Sequence, residues 1–398
     1  MATPATTEAL TRELERLEQA DLYRRRRVAA WSPELGPAEL VVDGRRCLAF
    51  CSNDYLGLAH DPRLAEALAA HAMQGGAGSG AAHLVTGHSP EHHALEEELA
   101  EFAGFPRALL FSTGYMANLG LLTALAGRGD LVAEDRLNHA SLLDASRLSG
   151  AKVRRYAHAD AEAAARRLAA PARQRFIASD AVFSMDGDVA PLPELAGVAR
   201  RHGAELLVDD AHGLGVLGPE GRGSLAAAGL GPQDVTAMVG TLGKALGTFG
   251  AFVAGDDAVI ETLVQRARSY IYTTAPPPAV AAATRRALAL ARAEEWRRDR
   301  LGTLVRRFRE GAHGLGLRLA PSETPIQPVL AGSAQAALQA AAQLFAAGLW
   351  VTPIRPPTVP TGSARLRVTL SAAHAEADVD RLLEGLAGIP ALHCEERR

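Results

Sequence analysis

Short apolar runs alternate with amphipathic stretches through the middle of the chain, and this alternation predicts the architecture. Stretches such as HHALEEELAEFAG and LPELAGVARRHG are typical of helices, and the second ends on a His-Gly pair that suits a helix C-terminus. The apolar runs, each bounded by turn residues, are typical of strands buried on both faces. They are ALLFS (108–112), FIAS (176–179), LLVDD (206–210), AMVG (237–240) and AFVAG (251–255). We therefore expect an α/β fold with a mostly parallel central sheet flanked by helices, and a ligand at the carboxyl ends of the strands.

The same pattern divides the chain into three segments. In the N-terminal segment, residues 1–45, Leu10, Leu14 and Leu17 have the spacing of an amphipathic helix. The large domain, residues 46–288, carries the predicted sheet. An Ala-rich helix that begins at three prolines, within 273–293, leads out of it. A smaller C-terminal α+β domain follows over 289–398.

Composition excludes several classes of protein. Lys and Arg number 42 and Asp and Glu number 45, so the net charge is 42 − 45 = −3. A nearly neutral chain has no global electrostatic reason to bind nucleic acid or an anionic membrane. The 3 cysteines do not form a disulfide scaffold or a zinc pattern, and we predict no metal site. The N-terminus lacks an apolar signal core, and we expect a cytoplasmic protein that does not enter a membrane.

The spacing of one acid and one lysine indicates the chemistry. Asp209 ends a buried apolar strand, and Lys244 lies 244 − 209 = 35 residues later, just past another strand. Both side chains are expected at the carboxyl edge of one sheet. Buried charges are costly unless they are paired, so this placement calls for a partner molecule.

Pyridoxal 5′-phosphate is a cofactor that needs these residues. It bonds covalently to a lysine, and its ring nitrogen needs an anion that keeps it protonated. Its phosphate needs backbone N–H groups at a helix N-terminus, which Gly114 and Tyr115 can provide, together with a hydroxyl such as that of Thr241.

Other residues after strands can complete such a site. Ser184 follows a strand in VFSMDGD, His139 is a candidate stacking plane for the ring, and His212 can hydrogen-bond to the ring's phenolic oxygen. Each residue alone has an ordinary structural interpretation, because a strand-terminal Asp is often a cap and a lone His is often a structural hydrogen-bonder. Their agreement in order and placement favours the cofactor site.

Competing motifs fit less well. Ser184, His212 and Asp209 are the residue types of a hydrolase triad, but VFSMDG is not a G-x-S-x-G elbow. The run GGAGSG (75–80) is similar to a dinucleotide loop but follows a helix-like stretch instead of a strand. His92 and His93 beside Glu96 are interpreted as a solvated helix face and not as a metal site.

With these motifs the chain resembles the α-oxoamine synthases over nearly its whole length, from about residue 22 to the 380s. The resemblance implies the pyridoxal-phosphate-dependent transferase fold of type I, and the condensation of an amino acid with an acyl thioester with loss of carbon dioxide. The motifs that carry it are FCSNDYLGL, GSGAAHLVTG, ALEEELAEF, LNHASLLDA, FSMDGD, VDDAHGLGVLGPEGRG, TLGKALG and IYTTAPPP.

The resemblance also implies roles for single residues. Lys244, His139 and Asp209 would be catalytic, with Lys244 as the base that removes the α-proton. The cofactor would be bound by Gly114, Tyr115, His139, Ser184, Asp209, His212, Thr241, Lys244, Thr273 and Thr274. The substrate would be bound by Arg24, Asn53, His139, Thr358 and Arg367, the last holding the amino acid's carboxylate. Thr273 and Thr274 would reach the neighbouring subunit's phosphate, which implies a homodimer with shared active sites.

Within the family, the run VTPIRPPTVPTGSARLRVTL (351–370) favours the member of biotin biosynthesis. That member condenses L-alanine with a pimeloyl thioester, and the residues leave open whether the carrier is coenzyme A or acyl carrier protein. Relatives often have G-S-G-G-S followed by Arg or Gly where this chain has GSGAAH, ending in His83, a departure that concerns acyl-donor preference. The alternatives are glycine C-acetyltransferase, 5-aminolevulinate synthase, serine palmitoyltransferase, a dehydrogenase or hydrolase, and a catalytically silent scaffold.

Overall fold

A computed structural model describes residues 4–394. Its strands are β1 (Ala29–Ala30), β2 (Glu39–Val42), β3 (Arg45–Ala49), β4 (Arg107–Phe111), β5 (Leu131–Asp135), β6 (Lys152–Tyr156), β7 (Arg175–Asp180), β8 (Glu205–Asp209), β9 (Ala237–Thr241), β10 (Ala251–Gly255), β11 (Ile326–Gly332), β12 (Leu349–Trp350), β13 (Thr352–Ile354) and β14 (Ala364–Thr369).

Helices connect and cover these strands. They are α1 (Pro4–Gln19), α2 (Pro62–Gly75), α3 (Pro90–Ala103), α4 (Gly114–Leu125), α5 (Ala140–Leu148), α6 (Ala161–Leu168), α7 (Leu192–His202), α8 (Ser224–Ala227), α9 (Asp257–Arg266), α10 (Arg268–Ile271), α11 (Pro278–Ala293), α12 (Trp296–Gly314), α13 (Ala334–Ala346) and α14 (Glu376–Ala387). Over residues 4–394, no helix has the length and apolar character that a bilayer crossing requires.

The chain forms two compact units that do not coincide with the three predicted segments. The larger unit comprises residues 53–184 and 188–299, and the described part of the smaller unit comprises 4–52, 185–187 and 300–394. The N-terminal segment falls in the same unit as the C-terminal part because β3 pairs in parallel with β12. The sequence boundaries at 45/46 and 288/289 stay predictions.

The larger unit is built on a seven-stranded sheet in the order β4-β10-β9-β8-β7-β5-β6. The pairs β9–β8, β8–β7, β7–β5 and β5–β6 are parallel, and only β10 runs against its neighbours. The predicted mostly parallel sheet flanked by helices is therefore confirmed. The sequence analysis did not identify β5 and β6, because LVAED ends in two acids and KVRRY is mostly charged.

Apolar side chains on both faces of this sheet explain why its strands are continuous hydrophobic runs. Phe176, Ile177 and Phe252 are at most 2% exposed. Helices α4 and α9 contribute Leu121 and Leu263 to the same core. A parallel sheet covered in this way places every parallel strand's carboxyl end on one edge, where polar residues are found.

The smaller unit contains two short sheets. One has the order β1-β2-β3-β12 and the other the antiparallel order β11-β14-β13. Phe50 stacks on His374 with ring centroids 4.4 Å apart, and both nitrogens of His374 are hydrogen-bonded, to the Ser371 N–H and to the Ala49 carbonyl. This histidine is a structural core residue.

We predict that Gly247→Ala destabilises the larger unit by about 2–4 kcal/mol. Alanine is strained in the left-handed backbone conformation of this residue, and its Cβ would also be too close to neighbouring atoms. Gly247 has φ +66°, and an added Cβ would lie 2.4 Å from the Ala59 nitrogen. Gly229→Ala is the matched control, since Gly229 has φ +68° with no atom within 4 Å of an added Cβ. Gly229→Ala should lower the free energy of unfolding by only about 1 kcal/mol. Equal losses in denaturant unfolding of the two variants would contradict the packing argument.

Candidate functional site

The candidate site lies at the carboxyl edge of the seven-stranded sheet. Strand β8 ends on Asp209, and its parallel neighbour β9 ends on Thr241. Lys244 follows in a turn that the Gly247 N–H closes by donating to the Lys244 carbonyl at 2.9 Å. The order of the strands thus brings Asp209 and Lys244 to one edge.

Lys244 begins a chain of polar contacts. Its Nζ lies 2.9 Å from Nε2 of His212, and Nδ1 of His212 lies 2.5 Å from the hydroxyl of the fully buried Tyr55. The Tyr55 hydroxyl is 3.4 Å from Oδ1 of Asn53. An amine, an imidazole and a phenol in contact can pass a proton from one to the next, since each can donate and accept in one of its forms.

The carboxylate of Asp209 is held in a fixed orientation. Asn118 Nδ2 donates to its Oδ2 at 2.5 Å, and the Ala211 N–H donates to its Oδ1 at 2.9 Å. The same amide group of Asn118 donates to Ser141 Oγ at 2.8 Å. The sequence analysis gave Asn118 no role, although an asparagine inside the otherwise apolar helix GYMANLGLLTAL signals a buried hydrogen bond.

His139 is the residue that caps the N-terminus of α5. Its backbone N–H donates to Asp180 Oδ2 at 2.7 Å, and its Nδ1 lies 2.7 Å from Ser141 Oγ. Desolvation lowers the pKa of His139, Asp209 raises it and Lys244 lowers it. Asp209 and Lys244 therefore lie close enough to the imidazole ring to act on it electrostatically. His139 itself is an exposed residue.

Asp180 is a second acid that the sequence analysis missed. It is 4% exposed, and burial, followed by the nearby Asp209, raises its pKa well above the ordinary value. Its place in the site becomes visible only from the pairing of β7 with β8, which puts Asp180 opposite Asp209.

The N-terminus of α4 offers donors for an anion. The helix begins at Gly114, and Thr113 caps it by accepting a hydrogen bond from the Met116 N–H at 3.2 Å. A Cβ at Gly114 would meet no atom within 4 Å, so the space in front of the helix is open. First-turn N–H groups such as that of Tyr115 lack intrahelical acceptors, and the helix dipole favours an anion there.

The remaining predicted cofactor residues lie on loops of the same unit. Ser184 is half-buried in the turn after β7, and Thr241 Oγ1 donates to the Gly250 carbonyl at 3.2 Å. Thr273 and Thr274 lie between α10 and α11, and their predicted role depends on a second subunit.

The smaller unit carries the other predicted substrate residues. Arg24 Nη2 lies 3.4 Å from Thr358 Oγ1, so the structure brings these two together. They line a groove of about 730 Å³ to which Arg25, Arg27 and Arg355 also contribute. Its arginines suit an anionic group.

Arg367 lies on the central strand β14 of the three-stranded sheet. It is 6% exposed, and its Nη1 donates to Thr369 Oγ1 at 2.9 Å. The neighbouring Arg365 donates to Asp186 Oδ1 at 2.5 Å. A buried guanidinium is the usual group for bidentate binding of a carboxylate.

A second charged cluster fixes the loop that carries Ser184. His158 Nδ1 lies 3.1 Å from Asp135 Oδ1, and its Nε2 lies 2.8 Å from Asp188 Oδ2. Burial lowers the pKa of His158, but Asp135 and Asp188 outweigh burial and raise it to about 10. The ring packs edge-on against Phe183 at 4.3 Å between centroids. The imidazolium thus joins strand β5 to the base of the loop after β7.

We predict that this cluster makes stability depend on pH. The folded pKa of about 10 lies above the ordinary 6.5, so the stabilisation is complete below pH 6.5 and is lost as pH rises through 10. Its size is on the order of a few kcal/mol. The free energy of unfolding should fall between pH 6.5 and 10 less steeply in His158→Gln than in the parent. Parallel pH curves would contradict a charged His158.

Comparison with known proteins identifies the class. The family described as aminotransferase class I and II matches residues 45–386. A serine palmitoyltransferase from S. paucimobilis, solved with a bound PLP–myriocin aldimine, superposes with a TM-score of 0.91 at 30% identity and 98% coverage of both chains. The chain belongs to the aminotransferase class I and II family, and the predicted transferase fold of type I is confirmed.

Curated relatives narrow the class. A protein from Nitrosococcus oceani is 60% identical over 380 residues, 95% of this chain and 100% of that protein. One from Alkalilimnicola ehrlichii is 62% identical over 355 residues, 89% and 91% of the two chains. A crystal structure from Francisella tularensis has 32% identity and a TM-score of 0.76 over 86% of this chain and 97% of that one. All three are named 8-amino-7-oxononanoate synthase, and the chain belongs with that group.

Proposed function

We propose that this chain condenses L-alanine with a pimeloyl thioester to give 8-amino-7-oxononanoate, carbon dioxide and the free carrier, a step of biotin biosynthesis in the cytoplasm. The observation that supports this proposal most strongly is that Lys244, His212 and Asp209 lie at one sheet edge, in a chain 60% identical to a named 8-amino-7-oxononanoate synthase. The cofactor is pyridoxal 5′-phosphate, as in the solved relative.

The larger unit's residues fit that cofactor. Lys244 is the lysine that would bond to it, Asp209 would face its ring nitrogen, and His139 would lie against its ring. Gly114, Tyr115 and Thr241 would hold the phosphate at the open N-terminus of α4, while Ser184 and His212 would contact the phenolic oxygen. When bound, the cofactor supplies an electron-accepting ring that stabilises negative charge on the alanine α-carbon.

Lys244 is the proposed base. Once alanine has taken its place on the cofactor, the freed Lys244 amine would accept the α-proton of alanine, which then lies within its reach. His212, 2.9 Å from Nζ and backed by the Tyr55 hydroxyl, orients the amine and can share its proton. The same amine returns a proton to the α-carbon after carbon dioxide has left.

The charge at Asp209 sets the reactivity of the site. Two donated hydrogen bonds, from Asn118 and the Ala211 N–H, fix this carboxylate. A fixed negative charge in a buried position keeps a facing ring nitrogen protonated, because the pair neutralises the desolvation cost of both charges.

The smaller unit supplies the proposed substrate contacts. Arg367 would bind the alanine carboxylate, which fixes the bond to be broken. Arg24 and Thr358, in the arginine-lined groove, would contact the acyl donor, and the neighbouring arginines suit the phosphates of either coenzyme A or an acyl carrier. Thr273 and Thr274 would complete the phosphate site of a second subunit in a homodimer.

Lys244→Ala should abolish product formation, because the chain loses both its covalent anchor and its base. The chain has two lysines, Lys152 and Lys244, so Lys152→Ala is a matched control that should keep the parental rate. Formation of 8-amino-7-oxononanoate from alanine and pimeloyl-CoA, followed by mass spectrometry, measures both. Full turnover by Lys244→Ala would refute the assignment.

Asp209→Asn should slow exchange of the alanine α-proton by about 100-fold or more, since a neutral amide does not keep the ring nitrogen protonated. Proton NMR in D₂O, normalised to bound cofactor, separates this effect from weaker cofactor binding. An unchanged exchange rate per bound cofactor would remove Asp209 from the mechanism.

Serine palmitoyltransferase is the second candidate, since its fold superposes at a TM-score of 0.91. Turnover with alanine, glycine and serine, each combined with pimeloyl-, acetyl-, succinyl- and palmitoyl-CoA, distinguishes the family's activities. We expect the highest kcat/KM for alanine with the pimeloyl donor. Preference for serine with palmitoyl-CoA would overturn the proposed substrates and leave the site assignment intact.

A further inference from the structure

A cluster of histidines lies outside the site described above. His83 begins a π-helical turn, His83–Gly87, and His88 and His92 follow at that turn's end and in the first turn of α3. His92 is fully buried and His83 is 6% exposed. The interpretation of His92 as part of a solvated helix face was therefore wrong, because its ring lies against His83 and bonds to the Pro276 carbonyl.

The three rings converge. The ring centroids of His83 lie 5.2 Å from His88 and 5.0 Å from His92, and His88 and His92 are 5.8 Å apart. One ring nitrogen from each lies within 4.8 Å of the others. The Nδ1 atoms of His83 and His88 are 3.0 Å apart. In a tetrahedral zinc site with Zn–N bonds of about 2.0–2.1 Å, ligand nitrogens are roughly 3.3 Å apart.

The outer nitrogens of two of these rings face acceptors. His92 Nε2 lies 2.8 Å from the Pro276 carbonyl, and His88 Nε2 lies 4.0 Å from Glu96 Oε2. Metal-binding histidines commonly donate their outer N–H to a carbonyl or carboxylate, as His92 does to Pro276, which leaves the other nitrogen as the ligand. The carboxylate of Glu96 is near His88 Nε2 but beyond hydrogen-bond distance. His92 Nδ1 accepts from the Ser89 N–H at 3.0 Å, and coordination would replace that hydrogen bond.

His83 differs from a structural histidine. Its Nδ1 faces the Nδ1 of His88, and its buried Nε2 has no hydrogen-bond partner among residues 4–394. Both nitrogens of His374, in contrast, are bonded to backbone groups. Neutral imidazole is the form that binds a metal ion, and imidazole suits zinc, nickel and cobalt.

We propose that His83, His88 and His92 form a binding site for one divalent transition-metal ion, with Zn²⁺ as the preferred class. Glu96 supports His88 from outside the ligand set. Its other oxygen, Oε1, accepts from the Leu110 N–H at 2.9 Å, which ties the site to strand β4. The sequence analysis predicted no metal site anywhere in the chain, and the proposed site departs from that prediction.

The test is Co²⁺ titration of the tag-free, cofactor-loaded protein after treatment with a chelator. One equivalent should bind with visible d–d absorption of a low-coordinate site, and Zn²⁺ should displace it. His88→Gln and His83→Gln should weaken binding by about 100-fold, and Glu96→Gln by about 10-fold. His88 is partly exposed, so its variant keeps the test valid if His83→Gln fails to fold, which thermal unfolding would show.

Two further variants decide which histidines bind. His202→Gln, at the end of α7, is the control for general surface binding and should leave the affinity unchanged. His93→Gln should also leave it unchanged. Loss in His93→Gln but not in His83→Gln would assign the ion to His88, His93 and Glu96, which also converge, and would overturn the proposal. Equal binding by parent and His88→Gln, or no binding by the parent, would overturn it as well.

Discussion

Two opposite charges held at one sheet edge are the constraint on which the candidate site depends. Asp209 and Lys244 both act on the pKa of His139, and a charged side chain that is taken out of water is costly unless it is paired. Asn118 and the Ala211 N–H satisfy the acid, and His212 contacts the amine. These contacts hold a carboxylate and an amine in place, which is what the proposed use of pyridoxal phosphate requires of Asp209 and Lys244.

The sheet topology creates this arrangement. Because β7, β8 and β9 are parallel neighbours, their carboxyl ends deliver Asp180, Asp209 and the Lys244 turn to one place. Two adjacent acids at the end of β8 then serve different purposes. Asp209 binds Asn118, while the fully buried Asp210 accepts hydrogen bonds from the N–H and hydroxyl of Ser224 and fixes the following loop.

The buried strands could be predicted from the sequence, because a strand that is covered on both faces is a continuous apolar run. It was insufficient for β6, KVRRY, whose edge position lets charged side chains reach solvent. Residues that carry their own chemistry, such as Lys244 and Asp209, could be selected by type and spacing. Tyr55 and Asp180 could not, since their roles arise from contacts between distant segments. His92 likewise packs against His83, which lies in a π-helical turn that the spacing of apolar residues does not predict.

Borohydride reduction of the cofactor-loaded protein, followed by peptide mass spectrometry, tests the central claim most directly. Reduction makes the bond between a lysine and pyridoxal phosphate permanent, and this chain offers only Lys152 and Lys244. The account predicts a phosphopyridoxyl group on the peptide that contains Lys244. A label confined to Lys152, or no label in a protein that carries the cofactor, would contradict it.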